Sequence, residues 1–136
     1  MKKYLVITLS YILLFFNTNS FSNEIKKNEL KVGLLAPFSG QYKDLGDSIM
    51  FSLQMALDEI GNKRVTIVTR DSGSGDKTIL NNSIQEIINE GVKVIIGPIN
   101  FEDFEEVKKY KDTIFISPSN INPKIENNII SIGVSL

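Results

Sequence analysis

Between Val32 and Val134 the apolar residues switch repeatedly between short continuous runs and helical spacing, and that alternation leaves few folds open. Residues 32–36 form an apolar run closed by Pro37, too short for a helix and bounded by a breaker. Over 44–60 the apolar positions Leu45, Ile49, Leu53, Ala56, Leu57 and Ile60 fall on one helical stripe, and Gly61 stops it. The β-branched stretch 65–69 reads as a strand. Asp76 offers an N-cap to a helix carrying Ile79, Leu80, Ile84, Ile87 and Ile88, which Gly91 closes. A third strand over 92–96 ends at Gly97-Pro98. A short helix over 102–109 follows, with Phe104, Val107 and Tyr110 inward, then strands over 113–116 and 128–134.

Strands alternating with helices of this length predict right-handed βαβ units. The fold class expected is therefore α/β, a doubly wound parallel sheet in three αβα layers. Near-continuous apolar strands fit a sheet covered on both faces. The core is expected at Val32, Leu34, Ile49, Leu53, Ile67, Ile84, Ile88, Ile95 and Ile114.

Residues 1–22 read as a leader outside this pattern. Lys2 and Lys3 precede an uncharged, mostly apolar run over 4–16, and Ser20-Phe21-Ser22 places small residues for cleavage after Ser22. The apolar run is shorter than the ~20 residues that cross a bilayer as a helix. Its loss takes the net charge from -1 to -3, because Lys2 and Lys3 leave with it. A polar lead-in over 23–30 and a lobe over 31–136 remain. With no Cys, no lipid-modified cysteine is expected, and the localisation expected is the periplasm.

Composition excludes several chemistries. A chain without His or Cys supports no Ser-His or Cys-His nucleophile and no ordinary zinc or iron–sulfur site. The charge balance of 15 Lys+Arg against 16 Asp+Glu gives no footprint for nucleic acid. Residues 33–40 match neither GxxxxGK[ST] nor GxGxxG, so no nucleotide cofactor is expected. Asp71 to Asp76 only loosely echoes a calcium loop, with Asn82 where a bidentate Glu belongs. No cofactor, metal or catalytic group is expected, and the protein does not read as an enzyme.

Open parallel sheets bind ligands beyond the carboxyl ends of their strands. The loops over 37–46, 71–75, 98–101 and 117–123 meet that criterion and are rich in Gly, Ser, Asn and Pro, residues that also simply form turns. Ser39 and Gly40 are the most suggestive, since a hydroxyl beside glycine lets a ligand carboxylate approach the backbone. Asp71, at a strand end, reads as a buried acid, an N–H acceptor or, most simply, a cap. The acids Glu102, Asp103, Glu105 and Glu106 read as the solvated start of a helix.

The stretch KVGLLAPFSGQYKDLGDSIMFSLQMALDEI resembles the first strand, loop and helix of type I periplasmic binding proteins of the branched-chain amino-acid-binding group. TIVTRDSGSGDKTILNNSIQEIINEGVKVIIGP resembles the next two strands and their helix, and FISPSNINP the stretch after the fourth strand. The resemblance implies an amino acid or similar small anionic solute bound between two lobes, of which this chain supplies the N-terminal one. It implies an ABC permease in the inner membrane as partner. With Ser39 and Gly40 from the loop reading and Phe101, Ser117, Ser119 and Asn120 carried over, the ligand-binding positions expected are Ser39, Gly40, Tyr42, Asn100, Phe101, Ser117, Ser119 and Asn120. Phe101 falls where the family has a serine, Leu45 where it has an aromatic lid, and Ile121 where a hydroxyl is common. The same fold occurs in periplasmic activators of penicillin-binding peptidoglycan synthases, whose first loop reads much like residues 35–40. That regulatory role is the alternative the resemblance carries.

Overall fold

A computed structural model describes residues 29–61, 64–118 and 126–133. Five parallel strands, β1 (Leu30–Ala36), β2 (Val65–Asp71), β3 (Val94–Ile96), β4 (Ile114–Ser117) and β5 (Ile129–Ser131), form one sheet in the order β2-β1-β3-β4-β5. The helices between them are α1 (Lys43–Ile60), α2 (Lys77–Asn89) and the short α3 (Phe104–Val107). The alternating periods thus give the expected α/β parallel sheet. The leader, residues 1–22, and nearly all of the lead-in lie outside the described residues.

Local chemistry sets the helix ends. The Asp76 side chain accepts from the N–H groups of Thr78 and Ile79, filling two of the free donors at the start of α2. Gly61 ends α1 at φ 64, where it donates to the carbonyls of Leu57 and Asp58. The helix expected over 102–109 divides into a 3-10 turn, Phe101–Asp103, and the single turn of α3.

One face of the sheet is fully packed. Leu35, Val68, Ile95 and Phe115 meet Leu80, Ile84 and Ile87 of α2 and Phe104 and Val107 of α3, all buried. The opposite face is covered unevenly. Helix α1 lies on β1 and leaves an apolar groove of about 390 Å³ between Ile49 and Leu53 on one side and Ile96, Ile116 and Ile132 on the other. Three expectations change accordingly. Ile114 is 43% exposed rather than core. Ile49 and Leu53 are half-buried, as are Val32, Ile67 and Ile88. The second face of the sheet is sheathed over β1 but open over β3 to β5 among the described residues. Leu34, Ile84 and Ile95 are core as expected, while Phe104, Val107 and Phe115 supply the bulk that the expected list lacks.

Where α1 crosses the end of β1, Gly46 is its one fully buried residue. A Cβ there would stand 2.0 Å from the carbonyl oxygen of Pro37. Gly97, at φ 112, is equally obligatory, with a Cβ position 2.1 Å from the Leu35 carbonyl oxygen. The two close approaches set how the loops after β1 and β3 leave the sheet.

Helices α2 and α3 are joined by polar contacts around Glu106. Its carboxylate accepts from Lys109 at 3.0 Å and Asn81 at 3.2 Å and pairs with Lys77 at 3.4 Å, while the Tyr110 hydroxyl donates to Asn81. The bond from Lys109, helped by Asn81 and Lys77 against a small cost of burial, lowers the Glu106 carboxyl from 4.5 to about 2.

Two predictions arise here. Gly46→Ala should cost about 1–3 kcal/mol by overpacking, read as a lower urea midpoint. Since Glu106 is held below its ordinary value, its contribution is complete above about 4.5 and is lost as pH falls towards about 2. Carboxyl NMR titration should therefore place the Glu106 midpoint well below those of unpaired glutamates, and Lys109→Ala should raise it.

Candidate functional site

The loops after β1, β2 and β3 converge at one edge of the sheet. The chain passes from β1 outward to β2 and then back across to β3 on the other side of β1. That reversal makes the carboxyl end of β1 a topological switch point, where open α/β sheets leave a crevice. Each loop contains a 3-10 turn: Gly40–Tyr42, Gly73–Gly75 and Phe101–Asp103. They enclose an open hollow of about 440 Å³. The first turn lends it Gln41 and Tyr42, the second Ser74 and Gly75, and the third Asn100 to Asp103.

Asp71, the last residue of β2, ties the first two loops together. Its Oδ1 accepts from the N–H of Phe38 at 2.9 Å and of Gly73 at 3.0 Å, and its Oδ2 from the Ser39 hydroxyl at 2.5 Å. The bond to Gly73 is an Asx turn, and those to Phe38 and Ser39 cross between loops. Asp71 is thus an N–H acceptor rather than a helix cap, a duty that falls to Asp76. Burial pushes its carboxyl up, but the Ser39 hydroxyl and the N–H groups of Gly73, Phe38 and Ser39 more than offset this and hold it below its ordinary value. Ser74 completes the link. It adopts φ 48, ψ 40, a left-handed conformation uncommon outside glycine, and its hydroxyl donates to the Ser39 carbonyl at 2.7 Å.

The expected site residues fall into three groups. Tyr42, Asn100 and Phe101 line the hollow, with both aromatic rings substantially exposed. Ser39 and Gly40 stand behind its wall. The Ser39 hydroxyl proton is committed to Asp71, and Gly40 takes a positive φ of 71 that its turn requires. Ser117 is fully buried at the end of β4 and does not line the hollow. Ser119 and Asn120, with Ile121, lie outside the described residues.

Asp103 shows what the sequence reading missed. Read as part of a solvated helix start, it is only 2% exposed, and its Oδ2 has no hydrogen-bond partner. Burial raises its carboxyl above the ordinary value, Glu102 and Glu106 add to this, and Lys77 opposes it. The signal was available: Asp103, Val107 and Tyr110 share helical spacing, so an acid lay on the inward stripe. Gln41 and Ser74 carried no comparable signal. Among the described residues no cluster of acids is placed to hold a metal ion.

Residues 29–134 match the periplasmic binding protein family. The chain belongs to that family. Its fold is that of the type I periplasmic binding proteins. It superposes on an ABC-type branched-chain amino acid transporter protein from Rhodopseudomonas palustris with a TM-score of 0.65 at 17% identity, over 77% of this chain and 32% of that one. An R. palustris ABC transporter solute-binding protein in complex with benzoate gives 0.65 at 25% identity, over 76% and 32%. Full-length LpoA from Haemophilus influenzae gives 0.63 at 20% identity, over 79% and 20%. No curated protein is significantly similar in sequence. This periplasmic binding protein chain therefore spans about a third or less of the structures it matches.

Removing the Asp71 carboxylate leaves two N–H donors and a hydroxyl without their acceptor. Asp71→Ala should cost about 2–3 kcal/mol and speed amide exchange at Phe38 and Gly73. Asp71→Asn, which keeps one acceptor oxygen, should lose less.

Proposed function

We propose that this chain is the N-terminal lobe, residues 31–136, of an exported solute-binding protein that captures a small molecule for an ABC importer. The observation that carries the reading is the hollow at the switch point, walled by three loops of a chain that belongs to the periplasmic binding protein family. Tyr42, Asn100 and Phe101 would touch the ligand directly. Ser39 and Gly40 would shape the wall, and the stretch that carries Ser117, Ser119 and Asn120 would add to the cleft. The leader 1–22 would direct export and be cleaved after Ser22, placing the lobe in the periplasm beside an inner-membrane permease. One lobe offers half a cleft, whereas small ligands are generally 70–90% buried. A second lobe would close over the hollow by hinge motion, with ligand contacts to both sides stabilising the closed form.

A second reading is supported by Phe101 and Ser39. Phe101 has no side-chain donor at a position where the family uses serine, and the Ser39 proton is already occupied. The loss of a side-chain donor at these two positions suits a regulatory protein that binds another protein, such as an activator of a penicillin-binding peptidoglycan synthase.

The deciding measurement is thermal unfolding of the natural periplasmic product against a panel of amino acids, small carboxylates and small amines. A ligand at about a hundredfold excess over its Kd should add about 2.7 kcal/mol of stability. Stabilisation by no member of the panel, together with binding to a penicillin-binding protein in sedimentation, would decide for the regulatory reading.

A further inference from the structure

The hollow is polarised, and its sign is negative. Glu102 and Asp103 belong to its wall, and among the described residues no Lys or Arg does. Lys43, next to Tyr42, is paired with Asp47. Lys77, the one cation among the described residues that bears on Asp103, is paired with Glu106 at 3.4 Å. The wall hydroxyl adds to this bias. Ser74 spends its proton on the Ser39 carbonyl and offers the hollow only lone pairs. A ligand carboxylate here would find neutral donors at Gln41, Tyr42 and Asn100 but, among the described residues, no opposing charge.

The buried Asp103 is an independent observation. An Oδ2 with no hydrogen-bond partner, on a residue 98% withdrawn from solvent, is costly unless something donates to it. The exposed rings of Tyr42 and Phe101 lie on the same hollow, and aromatic faces attract cations.

Resting on the solute-binding reading above, we propose that this half-cleft receives the positively charged end of its ligand. The ligand class is a primary ammonium on a small apolar body, seated against Tyr42 and Phe101, with Glu102 and Asp103 as counter-charge. This reverses the expectation of an anionic solute at this lobe. Any carboxylate the ligand carries is held outside this hollow.

Two probes of matched shape and opposite charge test the assignment on the 136-residue protein. Phenethylamine and 3-phenylpropanoate are each titrated while backbone amide NMR shifts are followed at residues 40–42, 74–75 and 100–103. Phenethylamine should shift these amides and bind about tenfold or more tightly than the carboxylate, weakening as salt rises from about 0.02 to about 0.5 M. Asp103→Asn should lower its affinity about tenfold, and Glu102→Gln, at an exposed position, gives the same test if the buried substitution unfolds the protein. Equal or tighter binding of 3-phenylpropanoate, or unchanged amine affinity in Glu102→Gln and a folded Asp103→Asn, overturns the assignment and leaves the solute-binding reading in place. Binding of neither probe overturns it too. If the natural product is then stabilised by another member of the panel, solute binding survives. If nothing stabilises it, both readings fall.

Discussion

The Asp71 carboxylate is the contact on which the ligand edge depends. The loop after β1 has no regular pairing of its own between Ala36 and the turn at Gly40, and its backbone donors must go somewhere. One carboxylate at the end of the adjacent strand collects the Phe38 N–H and the Ser39 hydroxyl while closing its own turn onto Gly73. Because β1 and β2 are in parallel register, with Ala36 opposite Asp71, the acid arrives where the first loop leaves the sheet. Hydrogen bonds to an ionised acceptor are the stronger kind, which suits a wall that must keep its shape.

The same edge is shaped from above by absence of side chain. Gly46 lets α1 lie against the Pro37 carbonyl, and Gly97 lets the third loop pass under Leu35. The hollow is thus framed by backbone packed against backbone, with side chains added at Gln41, Tyr42, Ser74 and the Asn100–Asp103 segment. A wall built this way adjusts little when a ligand arrives, so movement is left to whatever closes over it.

Much of this was legible in the sequence, for physical reasons that can be named. Period and punctuation are local properties, so the strands, α1, α2, the Asp76 cap and the Gly61 stop all follow from short windows. Coverage of a sheet face is not local. Ile114 has strand propensity and a core composition, yet whether it is buried depends on which helix lies above β4. The Asp71 contacts join residues 32 and 33 positions apart, so Asp71 alone supports three readings. The polarity of the hollow was hidden for a different reason. Its two acids sit in a run of four acids among five residues, a pattern that usually means solvent, and only the burial of Asp103 separates it from its neighbours.

The strand order also bears on how such a chain acquires its structure as it emerges from its N-terminus. Val32 of β1 pairs with Ile67 on one side and Val94 on the other, so the first strand made is flanked on both sides only once β3 has formed. No hairpin offers an early, local nucleus, and each pairing must close a long loop. Until residue 96 has appeared, β1 has one open edge and the chain no complete sheet. A polypeptide with that timetable holds few long-range pairings while its first half is being made, and settles into a compact form only after β3 has joined β1.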